Sequence, residues 1–157
     1  MTTDAETFHA LAAAELGRLG FMLINDPSQR RGRYSDASAD YECPRRLRLS
    51  VGFENDSGNA LVFFGRLWLL QQGHTCLSNH YAMIARRFGI NTPMSYPLSC
   101  GQQRTGQIAA ILTDLKRTLP EVMKRVTLDD LIHVEREKFG AESIAGSQLE
   151  VGFDRLF

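Results

Sequence analysis

The chain has 157 residues, with 18 basic and 18 acidic side chains and a formal net charge of zero. That length fits one domain with a proper core, and the charge balance offers no bulk field for nucleic acid or an anionic membrane. The three cysteines, Cys43, Cys76 and Cys100, lack C-x-x-C spacing and suit a reducing cytosol better than a disulfide framework. The N-terminus shows no signal-peptide pattern and no apolar run reaches membrane-spanning length, so a cytoplasmic protein is expected.

Thr3 to Glu6 reads T-x-x-E, a capping box that opens a helix to about Leu19. Phe8, Leu11, Ala12, Leu16 and Leu19 form its apolar stripe, Glu15 marks the stripe's solvent edge, and Gly20 sits where a C-terminal cap belongs. His9, beside the stripe, reads as a partly exposed helix histidine. Phe21 to Ile24 is a short apolar strand ended by the turn Asn25-Asp26-Pro27-Ser28. The basic cluster from Gln29 to Tyr34 reads as a solvated loop, given the aspartates around it.

The stretch from Asp36 to Leu70 organises the chain. Leu47, Leu49, Val51 and Phe53 alternate with polar residues at period two, and Ala60 to Leu70 is almost continuously apolar. A three-residue loop ending at Gly58 places Asn55 opposite Asn59, hence Phe53 opposite Leu61, Val51 opposite Phe63 and Leu47 opposite Leu67. One face is then apolar, and the other pairs Arg48 with Arg66, Ser50 with Phe64 and Arg46 with Trp68. A second three-residue loop, Cys43-Pro44-Arg45, puts Glu42 opposite Arg46 and Asp40 opposite Arg48, with Ala37, Ala39 and Tyr41 on the apolar face. The expectation is a three-stranded antiparallel meander with a charged outer face.

Gln71-Gln72-Gly73 breaks the last strand. His74, Cys76 and His80 then form H-x-C-x3-H, half of a metal site if Cys76 and His80 lie one helical turn apart, or the start of a thiol-dependent enzyme. No recognised zinc spacing and no orienting group accompanies them, so neither a metal nor another cofactor is expected. Ser78 caps a helix to about Phe88, with Tyr81, Ile84, Ala85 and Phe88 inward and Gly89 as C-cap. Asn91 to Pro97 reads as an extended, irregular connection and Gly101 to Gly106 as a loop, with the next helix opening at Thr105 or Gln107. Ile108, Ile111, Leu112, Leu115 and Leu119 mark the next helix, which Pro120 breaks or kinks. Thr127 to Asp130 starts a last helix reaching Phe139, with Leu128, Leu131, Ile132 and Phe139 inward. Residues 1–140 form a single α+β domain, and 141–157 form a tail whose Leu149–Phe153 is a possible edge strand.

The element order, with Leu19-Gly20-Phe21 and the D-L-x-x-x-L-P of Asp114 to Pro120, resembles small bacterial α+β proteins of the DUF4304 type, over about residues 5–135. Related domains occur among immunity proteins of bacterial toxin systems. The resemblance implies a binding protein and brings no catalytic residues with it. The sequence reading is therefore a non-enzymatic protein-binding module, an immunity-type inhibitor that occludes a cognate toxin. Arg46, Arg48, Phe64, Arg66, Trp68, Asp40 and Glu42 are its partner-binding residues, because Trp and Arg dominate interface energies. Phe64 and Trp68 could instead be covered by a helix or the tail. Two alternatives remain: a small enzyme using Cys76, His74 and His80, and a secretion-chaperone-like oligomer that self-associates, as a homodimer, through the same sheet.

Overall fold

The computed structural model describes residues 2–30, 36–54, 58–70 and 73–139, and the side chains of all of these except 67–70, 73–76, 138 and 139. The fold is α+β. Helix α1 (Asp4–Arg18) is followed by strands β1 (Met22–Leu23), β2 (Ala37–Glu42), β3 (Leu47–Glu54), β4 (Asn59–Leu70) and β5 (Gly73–His80), helix α2 (Tyr81–Arg87), strand β6 (Tyr96–Pro97), and helices α3 (Gln103–Arg125) and α4 (Leu128–Phe139). The strands run β1-β2-β3-β4-β5, each antiparallel to its neighbour, and β6 pairs with the start of β4. No helix among the described residues is long and apolar enough to cross a membrane.

Local chemistry explains most boundaries. Thr3 Oγ1 accepts from the Glu6 amide and Glu6 Oε2 accepts from the Thr3 amide, so the expected capping box closes the start of α1. Gly20 takes φ +88°, the left-handed conformation that ends the helix. The buried stripe of α1 is Ala5, Phe8, Ala12 and Leu16, whereas Leu11 is 42% exposed. Phe8 stands against the rings of Tyr41 and Phe53 at 6.4 and 6.2 Å, which seats α1 on β2 and β3. A second capping box, Thr127 with Asp130, opens α4.

All four helices lie on one face of the sheet. The residues that meet them are Ala37, Ala39 and Tyr41 of β2, Leu47, Leu49, Val51 and Phe53 of β3, Ala60, Val62 and Phe64 of β4, and Leu77 and Asn79 of β5, every one buried. Phe64 packs edge-to-face on Tyr81 of α2. Most polar groups inside this layer are paired, although Asn79 Oδ1 has no partner among the described residues. The Tyr81 hydroxyl bonds Thr118 Oγ1 at 2.7 Å, the Tyr96 hydroxyl donates to Asp114 Oδ2 at 3.1 Å, and Asn79 Nδ2 donates to Glu135 Oε2 at 2.7 Å.

The structure corrects four local expectations. The loop between β3 and β4 has four residues, because Glu54 pairs with Asn59 and the Gly58 amide donates to the Glu54 carbonyl. The β3–β4 register therefore shifts by one: Phe53 faces Ala60, Val51 faces Val62, and Leu47 faces Arg66. The β2–β3 turn has Pro44, Arg45 and Arg46 as its loop, with Arg46 left-handed at φ +59°, so Glu42 meets Arg48 and Asp40 meets Ser50. That slip of two residues keeps every side chain on its expected face. Gly73–His80 is a strand, not a break followed by a helix cap, because β4 is long enough to pair with it throughout. Helix α3 runs through Pro120, which is exposed while Leu119 and Val122 stay buried on either side; core packing outweighs the lost hydrogen bond. The tail from residue 140, with its possible edge strand, lies outside the described residues, as do residues 31–35 of the basic cluster.

Candidate functional site

The helices occupy one side of the sheet, and the other side, its open face, is covered by no helix or strand among the described residues. Alternation assigns it Met22 and Ile24 at the β1 edge; Asp36 just before β2, and Ser38, Asp40 and Glu42 on it; Arg48, Ser50, Gly52 and Glu54 on β3; Asn59, Leu61, Phe63 and Gly65 on β4; and Ser78 and His80 on β5. Two cross-strand rows define its centre. One reads Met22, Glu42, Arg48, Gly65, Ser78; the next reads Asp40, Ser50, Phe63, His80.

Apolar side chains flank a polar middle. Met22 is 73% exposed and Ile24 43%, and these are two of the most exposed large hydrophobic residues among those described. Leu61 and Phe63 are half-buried and do not pack on the core beneath. The Phe63 ring stacks on the His80 imidazole at 4.8 Å between centroids. Between these flanks Asp40 is held from several sides. Its carboxylate accepts from the Ser50 hydroxyl at very short range and from Ser38 at 3.4 Å. Asn25 extends the β1 edge by mimicking a strand residue: its side chain donates to the Ser38 carbonyl and accepts from the Asp40 amide, both at 2.8 Å. Arg48 stands opposite Glu42, and its Nε is buried without an acceptor among the described residues.

Gly65 leaves a gap in this face for a backbone reason. A Cβ built there would lie 1.7 Å from the Leu77 carbonyl oxygen and 2.7 Å from Ser78 Cα, so β4 and β5 approach too closely for any side chain.

The residues chosen from sequence divide between the two sides. Asp40, Glu42 and Arg48 stand on the open face as expected. Phe64 does not: it is fully buried under α2, because the fourth loop residue turns it inward. Arg66 faces the helix side where the β3–β4 ladder ends, opposite Leu47; burial, then the nearby Arg45 and Arg46 cations, hold its pKa below the usual guanidinium value. Arg46 is an exposed turn residue opposite neither Trp68 nor Glu42. The Trp68 backbone pairs with Thr75, and its side chain lies outside those described. Met22, Ile24, Leu61, Phe63 and His80 are the face residues that sequence reasoning missed. Both parities of β4 are apolar, so alternation alone could not choose between Phe63 and Phe64.

The H-x-C-x3-H segment also changes. On a strand, Cys76 and His80 share a face but are separated by roughly 13 Å along the backbone, at about 3.3 Å per residue, not by one helical turn. The side chains of His74 and Cys76 lie outside those described, and no group of metal-ligating side chains converges among the described residues. Tyr41 and Tyr81 are buried in the core, and burial pushes both phenols well above their ordinary pKa; Tyr41 meets His9 Nδ1 at 2.9 Å. Tyr96 is pushed up to about 12, again mainly by burial. These groups belong to the core.

No protein-family model, no curated protein and no solved structure matches the chain.

Proposed function

We propose that this chain is a protein-binding module that engages its partner through the open sheet face. Its concrete form is an immunity-type inhibitor that neutralises a cognate bacterial toxin by covering it. The observation that carries the reading is the face itself: helices cover one side of the sheet, while the other presents Met22, Ile24, Leu61 and Phe63 around a pinned polar centre. A mixed apolar and charged surface on a rigid sheet fits an interface, where a few desolvated apolar anchors supply most of the energy. Its action is steric, with no chemical step. The resemblance to DUF4304-type proteins in Leu19-Gly20-Phe21 and Asp114–Pro120 favours the inhibitor form.

The test is site-specific photo-crosslinking in the native cells. A crosslinker at Ser38, on the open face, should trap one stoichiometric protein, and one at Lys116, on the helix side, should not. Phe63→Ser and Met22→Ser should each weaken the purified complex at least about tenfold and abolish rescue of growth from the partner's toxicity. Trapping only from Lys116, or a stable homodimer that buries the face, would overturn the reading.

A further inference from the structure

We infer that the cleft between α1 and α3 is a binding site for a small aromatic carboxylic acid. The cleft lies on the helix side of the sheet, away from the open face, so its ligand is distinct from the protein docked there.

The two helices start side by side. Arg104 grips the Asp4 carboxylate with Nε and Nη2, at 2.8 and 2.5 Å, and so ties the first turn of α3 to the first turn of α1. Further along, a pocket of about 200 Å³ lies between them. Its floor is Leu16, Leu115 and Leu119, all buried, and its walls are the half-buried Leu19 and Leu112. Pro120 completes the lining and brings no backbone N–H to it. A leucine-lined cavity of about 150 Å³ is enough to hold a benzene ring. The space here therefore suits one six-membered ring with a short substituent.

The rim decides the charge of that substituent. Glu15 Oε1 accepts from Arg18 Nη1 at 2.9 Å, and Lys116 Nζ stands 4.0 Å from the same oxygen. These are the ion pairs of all three side chains among the described residues, so two cations share one carboxylate. Arg18 already holds Glu15, and the exposed Lys116 ammonium, at the limit of pairing, can meet a second anion at the mouth. The end of α1 does not oppose one: the Leu16 carbonyl accepts from the Leu19 and Phe21 amides, and the Gly17 carbonyl from the Gly20 amide. A ring among the leucines with its carboxylate beside Lys116 matches both the lining and the residual charge. An amine in the same place would face two cations, with the one carboxylate already occupied.

The test is a titration of the full chain with phenylacetate, followed by amide chemical shifts. Phenylacetate should move amides from Glu15 to Leu19 and from Leu112 to Leu119, with a Kd below about 10 mM. Phenethylamine carries a similar ring with the opposite charge, and N-acetylphenylalanine amide carries the ring on a neutral peptide. Each should bind at least about fivefold more weakly. Lys116→Met keeps the stem and removes the charge; it should weaken phenylacetate at least about threefold and leave benzyl alcohol binding unchanged. Leu112→Phe should fill the pocket and abolish binding of both. Should Leu112→Phe disturb the fold, Lys116→Met at its exposed position carries the test.

If phenylacetate moves no amide of the cleft, or still binds a folded Leu112→Phe, the site is refuted. If phenethylamine binds as tightly, or Lys116→Met changes nothing, the ligand is not an acid. If N-acetylphenylalanine amide binds as tightly, the pocket takes a peptide side chain and the small-acid inference fails. None of these outcomes bears on the open face, whose test is the crosslinking at Ser38.

Discussion

Phe63 and Phe64 are adjacent in sequence and lie on opposite sides of the sheet, so substituting each with alanine measures the register directly. Phe64 is fully buried and edge-to-face with Tyr81 at 6.0 Å, so its truncation removes a core ring and leaves a cavity. Such changes cost about 3–5 kcal/mol, and the lost aromatic pair accounts for roughly 0.5–1.5 kcal/mol of that. Phe63 is half-buried, touches no core cluster and stacks only on the His80 ring among the aromatic side chains described. Its truncation should cost about 1 kcal/mol or less. Urea unfolding followed by circular dichroism reads the difference. With a denaturant slope of about 2 kcal/mol/M, Phe64→Ala should lower the midpoint by about 2 M and Phe63→Ala by less than about 0.5 M. Equal losses, or a larger loss at Phe63, would refute the four-residue loop and the open face with it.

Gly65→Ala should destabilise by at least about 1–3 kcal/mol, because a methyl 1.7 Å from the Leu77 carbonyl meets backbone that no rotamer change can relieve; an unchanged urea midpoint would show that β4 and β5 are further apart. Glu135→Leu alone should cost about 1–3 kcal/mol by orphaning the buried Asn79 amide, whereas adding Asn79→Leu should recover most of it; additive losses in that double-mutant cycle would deny the contact. Alkaline pH should unfold the protein through its buried phenols. Tyr96 has a folded pKa of about 12 against the ordinary 10, and Tyr41 and Tyr81 are also raised, so the folded state holds more protons above pH 10. Stability is therefore full below about pH 10 and falls as pH rises towards 12. Phenolate absorbance should appear together with loss of the far-ultraviolet signal, and reversible ionisation of these tyrosines in an intact fold would contradict their burial.

Much of the fold was legible because local chemistry decided it. Thr3 with Glu6, Gly20, the period-two run from Leu47 to Phe53, and Thr127 with Asp130 each specify their element by a short-range interaction. The misreadings occur where tertiary packing decides. Pro120 predicts a break, yet Leu119 and Val122 both find the core and carry the helix across it. Gly73 to His80 has little strand propensity, and becomes a strand only because β4 extends to Leu70 and offers a ladder. Arg66 misled the register argument. Placing it inward would bury a cation among leucines, but position 66 lies opposite Leu47 where the β3–β4 ladder ends, and the residue remains half-exposed.

The consequence for function follows from one loop residue. In β4 the alternatives Leu61, Phe63 and Ala60, Val62, Phe64 are both apolar sets, and the side-chain period of two makes loop length the deciding variable. Pairing Asn59 with Glu54 across four residues, rather than with Asn55 across three, sends Phe64 inward to meet Tyr81 and leaves Phe63 outward to meet His80. The same shift carries Arg66 away from Arg48 to the helix side of the sheet. Lengthening or shortening that loop by one residue should therefore do more than strain a turn. A one-residue deletion that kept the four-residue loop by pairing Glu54 with Ala60 would bury Phe63 and expose Phe64 and Arg66. The core under α2 would then lose its ring, and the open face would gain a second guanidinium beside Arg48. Loss of stability and loss of partner binding should therefore appear together in that deletion, while Phe63→Ser should lose binding alone.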